Sequence, residues 1–595
     1  PPLAAGAALA LCLRAAAGPP AGAEDRAYAY RSYGETMKYF ADLKRRHPDL
    51  VDTWVAQEAF PQMLPSKKEW ASCGSEPCRT LVVRIANKQR LKDPEEMLTR
   101  PEVLLSGALH GDERVGPLVV TELAGFLCSE YRRGNEEVRR LVDTRSTWIL
   151  PMTNAYGYAY RTREEKGMDP NRDFSYLQDP SRCMRTQTGR AVNELFRRHL
   201  FQFLLTFHGG MRALTYEWGS RNHMRGRKST ESPDDRAFTA VGQRIRDASG
   251  RDGRKRFWYP LGRINDLVYP VDGGMEDWSY AAGFERSPKP ITVCRPKTYG
   301  GYAESRTKYR RGSVGALVYL AEMDDAKTPA SSTLGRSSQV WDAAGSQGHV
   351  PRNLRMCLKL IELARPEVVV RPPAWPAALQ PQQELELRLH GFGCLTLSAA
   401  RLLLLRRRGL EDCQRLRVAG AAEGQEAAAR AELLRQAVLV AKLPAAAPCR
   451  GLSVWERPQG GGDGTLRLRG RVPANTSGEF CAVVAAEFDQ DWRQQSHPDP
   501  ALGPQAHASR LRLDERYVSF ASDDLDGQQG ERRMRIDEYR TKLFPVLPGP
   551  ITVGPAAKAG SAKGVPRPSG TAAAKGVPRP PAAQAWQAPA PDAGP

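Results

Sequence analysis

The sequence predicts an α/β catalytic core with a mostly parallel sheet, a β-rich region behind it and a non-globular tail. Three observations lead there. Apolar runs of strand length alternate with helical segments through residues 29–365. Residues 377–545 lose that alternation and show short apolar runs broken by Gly turns. Residues 546–595 are rich in Pro, Ala, Gly and Lys and repeat Ala-Lys-Gly-Val-Pro-Arg-Pro at 562–568 and 574–580, a composition that cannot bury a core.

Residues 29–46 carry Tyr30, Tyr33, Met37, Phe40 and Leu43 at helical spacing and stop before Pro48. Strands are expected at 81–85, 103–109, 148–152, 203–207 and 316–321. Helices fall between them at 115–131 and at 188–200, where Val192, Leu195, Phe196 and His199 share a face. In parallel sheets ligands gather at the carboxyl ends of strands. Polar clusters fall there: His110 to Glu113, Asn154, His208 and Glu322. Residues 366–376 are Pro-rich and read as a linker. Within 377–545 the one clean helical pattern is 423–443, ending at Pro444.

Composition narrows the class. The chain has 595 residues, 41% hydrophobic and 26% charged, with 53 Gly and 46 Pro, which excludes a wholly disordered chain, a small disulfide scaffold and a collagen-like fibre. The net charge, 87 − 67 = +20, favours acidic partners, but the excess is scattered Arg and does not imply nucleic acid. Residues 1–23 hold one charge, Arg14, and end Ala21-Gly22-Ala23 before Glu24-Asp25, which reads as a truncated signal peptide. No other uncharged apolar stretch is long enough to span a membrane. Beyond Cys12 there are ten cysteines and no CxxC. Cys73 and Cys78 flank a short turn as a local disulfide would, and Cys394, Cys413, Cys449 and Cys481 are candidates for two more bridges of open pairing. The even count and the sequon Asn475-Thr476-Ser477 suit an oxidising, secretory compartment, extracellular or lumenal.

The chemistry begins at His110-Gly111-Asp112-Glu113, where a strand gives way to a helix. A His and a carboxylate three apart at such a turn can converge on one metal. His208, followed by Gly209-Gly210, ends another strand, and two His with one carboxylate form a catalytic rather than a structural zinc set. Asp169-Pro170-Asn171-Arg172 sets a planar fork donor beside an amide, an anchor for a free carboxylate. Tyr269 precedes Gly273-Gly274-Met275-Glu276-Asp277-Trp278-Ser279-Tyr280, and an apolar strand ends in Glu322.

With these motifs in this order, residues 32–364 resemble the zinc metallocarboxypeptidases of the carboxypeptidase A/B-like kind, closer to the regulatory N/E-type branch. The resemblance implies a mixed, mostly parallel eight-stranded sheet flanked by helices over residues 24–365, and one Zn2+ held by His110, Glu113 and His208. Glu322 is then the general base and acid that takes the proton of the zinc-bound water and hands it to the leaving amine. Glu285 competes for that role, and Glu322 is preferred because it ends an apolar strand. Arg163 is the oxyanion arginine, with Arg161 the alternative. Asn171, Arg172 and Tyr269 grip the substrate's terminal carboxylate.

Glu276 falls where the family lines its side-chain pocket, and an acid there suits a C-terminal Arg or Lys. Where regulatory members carry a further acid, this chain has Gly219. The implied activity is removal of C-terminal residues from peptides or proteins by a secreted, glycosylated monomer with no inhibitory prodomain. A silent C-terminus-binding protein and a hydrolase of acyl-amino-acid conjugates are the alternatives. Trp218, Trp278 and Tyr280 read as core or pocket wall, Asp112 as a solvated acid, Asp277 as a ligand orienter or cap, and His47, His223, His349, His390, His497 and His507 as surface residues.

Overall fold

A computed structural model describes residues 25–554 except 65, 93–99, 200, 252–257, 284, 286–289, 309–314, 342–347, 372–374, 376–377, 395, 408–409, 414–416, 419–431, 450–464, 489–516, 524–528, 536–540 and 548. The expected leader and most of the expected tail therefore lie outside the described residues.

Eight strands form the central sheet: β1 (Val51–Val55), β2 (Leu81–Ile85), β3 (Glu102–Ser106), β4 (Ser146–Leu150), β5 (Phe201–His208), β6 (Met211–Tyr216), β7 (Leu261–Arg263) and β8 (Leu317–Asp324). Their order is β1-β2-β4-β3-β5-β8-β6-β7. Four of the seven pairings are parallel: β3 with β4 and β5, β5 with β8, and β6 with β7. The other three are antiparallel. β3, β4, β5 and β8 are buried along almost their whole length, which is why they read as continuous apolar runs rather than alternating ones.

Helices flank this sheet. α1 (Tyr33–Arg46) opens on a reciprocal cap between Ser32 and Glu35. α2 (Val115–Arg133) stops at Gly134, which takes the left-handed conformation. α3 (Ala155–Tyr160), α4 (Gln187–Phe196), α5 (Asp235–Ser249) and α6 (Met275–Ala281) come next. α7 (His349–Leu363) is buried from end to end and packs on α2 and α5.

The accessory region is built from β9 (Glu367–Arg371), β10 (Glu384–Phe392), β11 (Thr396–Arg406), β12 (Val438–Lys442), β13 (Leu466–Arg471), β14 (Gly478–Phe488), β15 (Thr541–Pro545) and β16 (Ile551–Val553). β9, β10 and β13 make one sheet; β16, β14, β11 and β12, with β15 paired to β14, make most of another. Leu385, Leu387, Leu389 and Leu468 of the first meet Leu402, Leu404, Phe480 and Val484 of the second in one apolar core.

Two expectations need correction. Glu367–Arg371, placed in a linker, is a strand, because Val368 enters the accessory core while the chain pairs with β10. The helix expected over 423–443 gives way to a strand at Val438–Lys442, where pairing with β11 overrides helical spacing; 423–431 lie outside the described residues. The disulfides agree with the expected Cys73–Cys78 bridge and with two bridges among the four C-terminal cysteines: Cys73 joins Cys78, Cys394 joins Cys449 and Cys413 joins Cys481, with a further bridge from Cys183 to Cys294, while Cys128 and Cys357 are free and buried in the helical layer.

Two joints hold the parts of the molecule together. Gly111 has no room for a side chain, since a Cβ there falls 1.9 Å from the carbonyl carbon of Gly157; this close crossing packs the His110 turn onto α3. Arg145, fully buried, donates to the carbonyls of Ile361 (3.3 Å), Glu362 (3.0 Å) and Arg365 (2.6 Å) at the end of α7 and to Glu367 (2.8 Å) on β9. It therefore ties the catalytic sheet to the accessory sheet.

Candidate active site

The site forms at the carboxyl ends of the central parallel strands. His110 and Glu113 lie in the turn between β3 and α2, His208 is the last residue of β5, and Glu322 on β8 is in register with His208. Nδ1 of His208 lies 3.0 Å from Oε2 of Glu113 and 3.1 Å from Nδ1 of His110, and Nδ1 of His110 lies 3.0 Å from Oε1 of Glu113. Ligand atoms of all three residues fall within 4.8 Å of one another. Two ligands about 2.0–2.1 Å from a shared tetrahedral centre stand roughly 3.3 Å apart, so this donor set fits a zinc ion. Oε2 of Glu113 is buried and has no hydrogen-bond partner despite its approach to His208, as expected of lone pairs that face a cation. Burial works against the Glu113 charge, yet His110 and His208 outweigh it and hold the carboxyl well below its ordinary range.

A carboxylate backs each histidine. Nε2 of His110 lies 3.1 Å from Oδ1 of Asp169, whose other oxygen accepts from Nε of Arg163 at 2.9 Å. Nε2 of His208 lies 3.5 Å from Oε1 of Glu276. Such partners fix which ring nitrogen is free to ligate. Asp169 stood in the quoted motif without a role. Its place two residues before Asn171 was the available signal, because Asp169 also accepts from the Asn171 backbone N–H (2.8 Å) and so aims the whole turn.

Arg163 brings Nη1 to 3.4 Å from Oε1 of Glu113 and 3.1 Å from Nδ1 of His110, at the edge of the donor set. Arg161 instead is exposed, in the left-handed conformation that ends α3. Asn171 is buried; its Oδ1 accepts from the Met275 N–H at 2.8 Å and its Nδ2 points to Glu276 at 3.4 Å. Arg172 donates to the Asn171 carbonyl at 2.7 Å and lies 6.0 Å from the ring centre of Tyr269, which is 49% exposed. Gly273, at φ +70°, lets the chain pass so close to the Arg172 carbonyl that an added Cβ would lie 2.6 Å from its oxygen.

Glu322 is nearly buried and its Oε2 has no hydrogen-bond partner. Burial pushes its carboxyl above the ordinary value. Glu285 is committed elsewhere, bonded to the Tyr176 hydroxyl and to Nε2 of His223 (2.8 Å). His223, expected at the surface, is buried and stacked on Trp218 with ring centres 3.6 Å apart; His349 is buried too. Asp277 accepts the Gly219 N–H at 3.1 and 3.2 Å, so it holds the loop after β6. Asp112 pairs with Lys327 at 2.7 Å, and Trp218, Trp278 and Tyr280 are core.

Known proteins resemble parts of this chain. Residues 77–300 match the family described as zinc carboxypeptidase. The chain is 28% identical over 195 residues to carboxypeptidase SOL1 of Arabidopsis thaliana, covering 32% of this chain and 39% of that one. It is 26% identical over 198 residues to carboxypeptidase M of Mus musculus, covering 30% and 44%. The chain thus spans less than half the length of these relatives. Among solved structures, bovine thrombin-activatable fibrinolysis inhibitor, in complex with tick carboxypeptidase inhibitor, aligns with TM-score 0.37 and 16% identity over 56% of this chain and 96% of that one. Glu322 lies beyond the residues matched to the family.

Proposed function

The chain carries a domain of the zinc carboxypeptidase family, and from that premise we propose that it hydrolyses the C-terminal peptide bond of peptides or proteins in the secretory pathway or outside the cell. The observation that carries the reading is the convergence of His110, Glu113 and His208, with Glu322 in register beside His208 and its Oε2 without a hydrogen-bond partner. A zinc ion bound there would supply Lewis acidity to a water and to the scissile carbonyl.

The chain's own residues do the rest. Arg172, steadied by the Asn171 carbonyl, offers its fork to the terminal carboxylate, and Tyr269 closes over it from the solvent side. Asn171 is held by the Met275 N–H, so its amide is fixed before substrate arrives. Glu322 accepts a proton from the attacking water at Oε2 and passes it to the departing amine; its raised pKa suits both halves of that task. Arg163, aimed by Asp169, stabilises the negative oxygen that develops on the carbonyl.

A preference for C-terminal Arg or Lys would rest on Glu276, a buried acid beside Asn171, although its Oε1 also faces Nε2 of His208 at 3.5 Å, so the basic residue would share that carboxylate with the histidine. Four disulfides, the exposed Asn475 of the sequon and the leader-like first residues support a secreted glycoprotein. Among the described residues no helix is long and apolar enough to cross a membrane.

The test is hydrolysis of matched blocked dipeptides ending in Arg, Lys, Phe, Leu or Glu, with and without a zinc chelator, beside Glu322→Gln. Chelator-sensitive release, lowered about 10²-fold or more in Glu322→Gln, supports the peptidase. Release of apolar residues alone removes the basic pocket. No release from a zinc-loaded chain overturns the activity in favour of a C-terminus-binding protein or a hydrolase of acyl conjugates.

A further inference from the structure

One face of the accessory region breaks a rule of sheet stability. The sheet β9-β10-β13 turns Leu385, Leu387, Leu389 and Leu468 into the accessory core; on the other face Glu367, Val369 and Phe392 pack toward the catalytic domain, while Arg371, Glu384, Glu386, Arg388, Arg467, Arg469 and Arg471 lie at the surface. On the solvent face Arg371 stands opposite Arg388, and Arg388 opposite Arg467, in one cross-strand row. Strands lie about 4.8 Å apart, so three guanidinium groups share a span of about 10 Å. Like charges directly opposite one another destabilise a sheet.

Neighbouring acids do not cancel the row. Glu386 takes Arg469 at 2.7 Å and Arg388 at 3.3 Å, and Glu384 takes Arg471. Among the described residues no carboxylate pairs with Arg371 or Arg467. Five arginines against two glutamates leave this small face at 5 − 2 = +3. Charge on an edge strand serves to block strand pairing, but that accounts only for β9 and β13; Arg388 sits on the central strand. Glu386 offsets the row only in part, through Arg388 and at longer range Arg467, and a local rule left partly uncompensated points to an external partner.

The geometry points to that partner: we propose that the Arg371–Arg388–Arg467 row is a binding site for a sulfated polysaccharide. Guanidinium forks pair with the oxygens of sulfate as they do with phosphate and carboxylate, and a flat row suits an extended polyanion. The exposed residues of the three strands include no aromatic ring on which bases would stack. They also include no large apolar side chain to enter a bilayer. Four disulfides suit an oxidising space, where sulfated chains rather than nucleic acids are met.

The test compares three full-length chains on immobilised heparin across a salt series: the parent, Arg371→Gln/Arg388→Gln/Arg467→Gln, and a control with the same charge loss, Arg45→Gln/Arg295→Gln/Arg435→Gln. The control sites are exposed and distant in sequence from the row, and the tail is common to all three. The row variant should bind at least about tenfold more weakly at about 150 mM salt, with a salt slope reduced by about two to three, while the control stays within about twofold. Equal weakening of both variants would assign binding to net charge and overturn the proposal, as would no binding by the parent. Equal parent affinity for a DNA duplex, or for vesicles containing phosphatidylserine, lost in the same variant, would overturn the polysaccharide assignment. A thermal midpoint no lower than the parent's confirms that the row variant is folded, since removing opposed like charges should not destabilise the sheet.

Discussion

Replacing Arg145 by Met should destabilise the protein by about 3–5 kcal/mol, the usual result of removing one member of a buried ion pair. Methionine keeps most of the volume, so packing is largely preserved. The loss falls on polar groups: three carbonyls at the end of α7 and one oxygen of Glu367 lose their donor at distances of 2.6 to 3.3 Å. Arg140 (3.2 Å) and Arg365 (3.4 Å) still face Glu367 and keep the change toward the lower end. For a cooperative unit of about 340 residues, about 4 kcal/mol corresponds to a fall in Tm of about 5–6 °C.

The same joint predicts an acid dependence. Burial raises the Glu367 carboxyl, but Arg145, Arg365 and Arg140 outweigh it and hold it at about 2. A folded-state pKa below the unfolded one gives stability that is present above the unfolded value and is lost as pH falls through the folded one. The window therefore runs from pH 4.5 down to about 2, and its depth is about 3 kcal/mol at about 1.36 kcal/mol per pH unit. Differential scanning calorimetry on the parent, Arg145→Met and Glu367→Gln at neutral pH and within that acid window reads both effects. Glu367→Gln should flatten the acid loss. A change below about 1 kcal/mol in Arg145→Met, or an acid loss of the same depth in Glu367→Gln, would refute the argument that this pair joins the two regions.

Other perturbations concern the site. Gly111→Ala puts a methyl group 1.9 Å from the Gly157 backbone and should lower both Tm and zinc occupancy, read by calorimetry and metal analysis. Asp169→Asn should weaken zinc binding about 10–100-fold by equilibrium dialysis, because it removes the carboxylate behind His110, with little change in Tm. Tyr269→Phe should affect KM more than kcat, since the ring is half exposed and its hydroxyl meets substrate rather than the fold. Burial pushes the Cys128 thiol up to about 12 and Cys357 higher still, so neither should react with iodoacetamide in the folded chain; both should be labelled in guanidinium.

The catalytic half was legible because its signals are local. Strands β3, β5 and β8 are buried on both faces and so read as apolar runs, and the chemistry sits at their ends, where His110, His208 and Glu322 are found. Asn171 and Arg172 were visible as adjacent letters. What sequence missed depends on long-range contact. His223 looked solitary because its partner Glu285 is 62 residues away, and the same contact is what removes Glu285 as a rival base. The 423–443 pattern misled because Val438 to Lys442 have a pairing strand that a helical count does not see. The cross-chain Cys183–Cys294 bridge, 111 residues apart, was not legible because pairing depends on long-range contact.

The stretch between Tyr280 and Glu322 is long, and its contacts show how the fold accommodates it. It does not interrupt the sheet, because β8 still pairs with β5 in register from Leu317 to Glu322. The described part of the stretch runs back along α4 and the Arg163 loop. Cys294 is bonded to Cys183, Tyr302 and Arg306 both bond Glu194 on α4, and Arg190 donates to the Thr298 carbonyl at 2.8 Å. Tyr299 donates to Oε1 of Glu165 at 2.8 Å, and Glu165 also accepts the N–H groups of Gln187 and Thr188 at the start of α4. Glu165 is two residues from Arg163. This stretch therefore grips, from outside, the loop that carries Arg163, Asp169 and Arg172, and makes a long surface excursion into a second support for the residues that would hold the substrate.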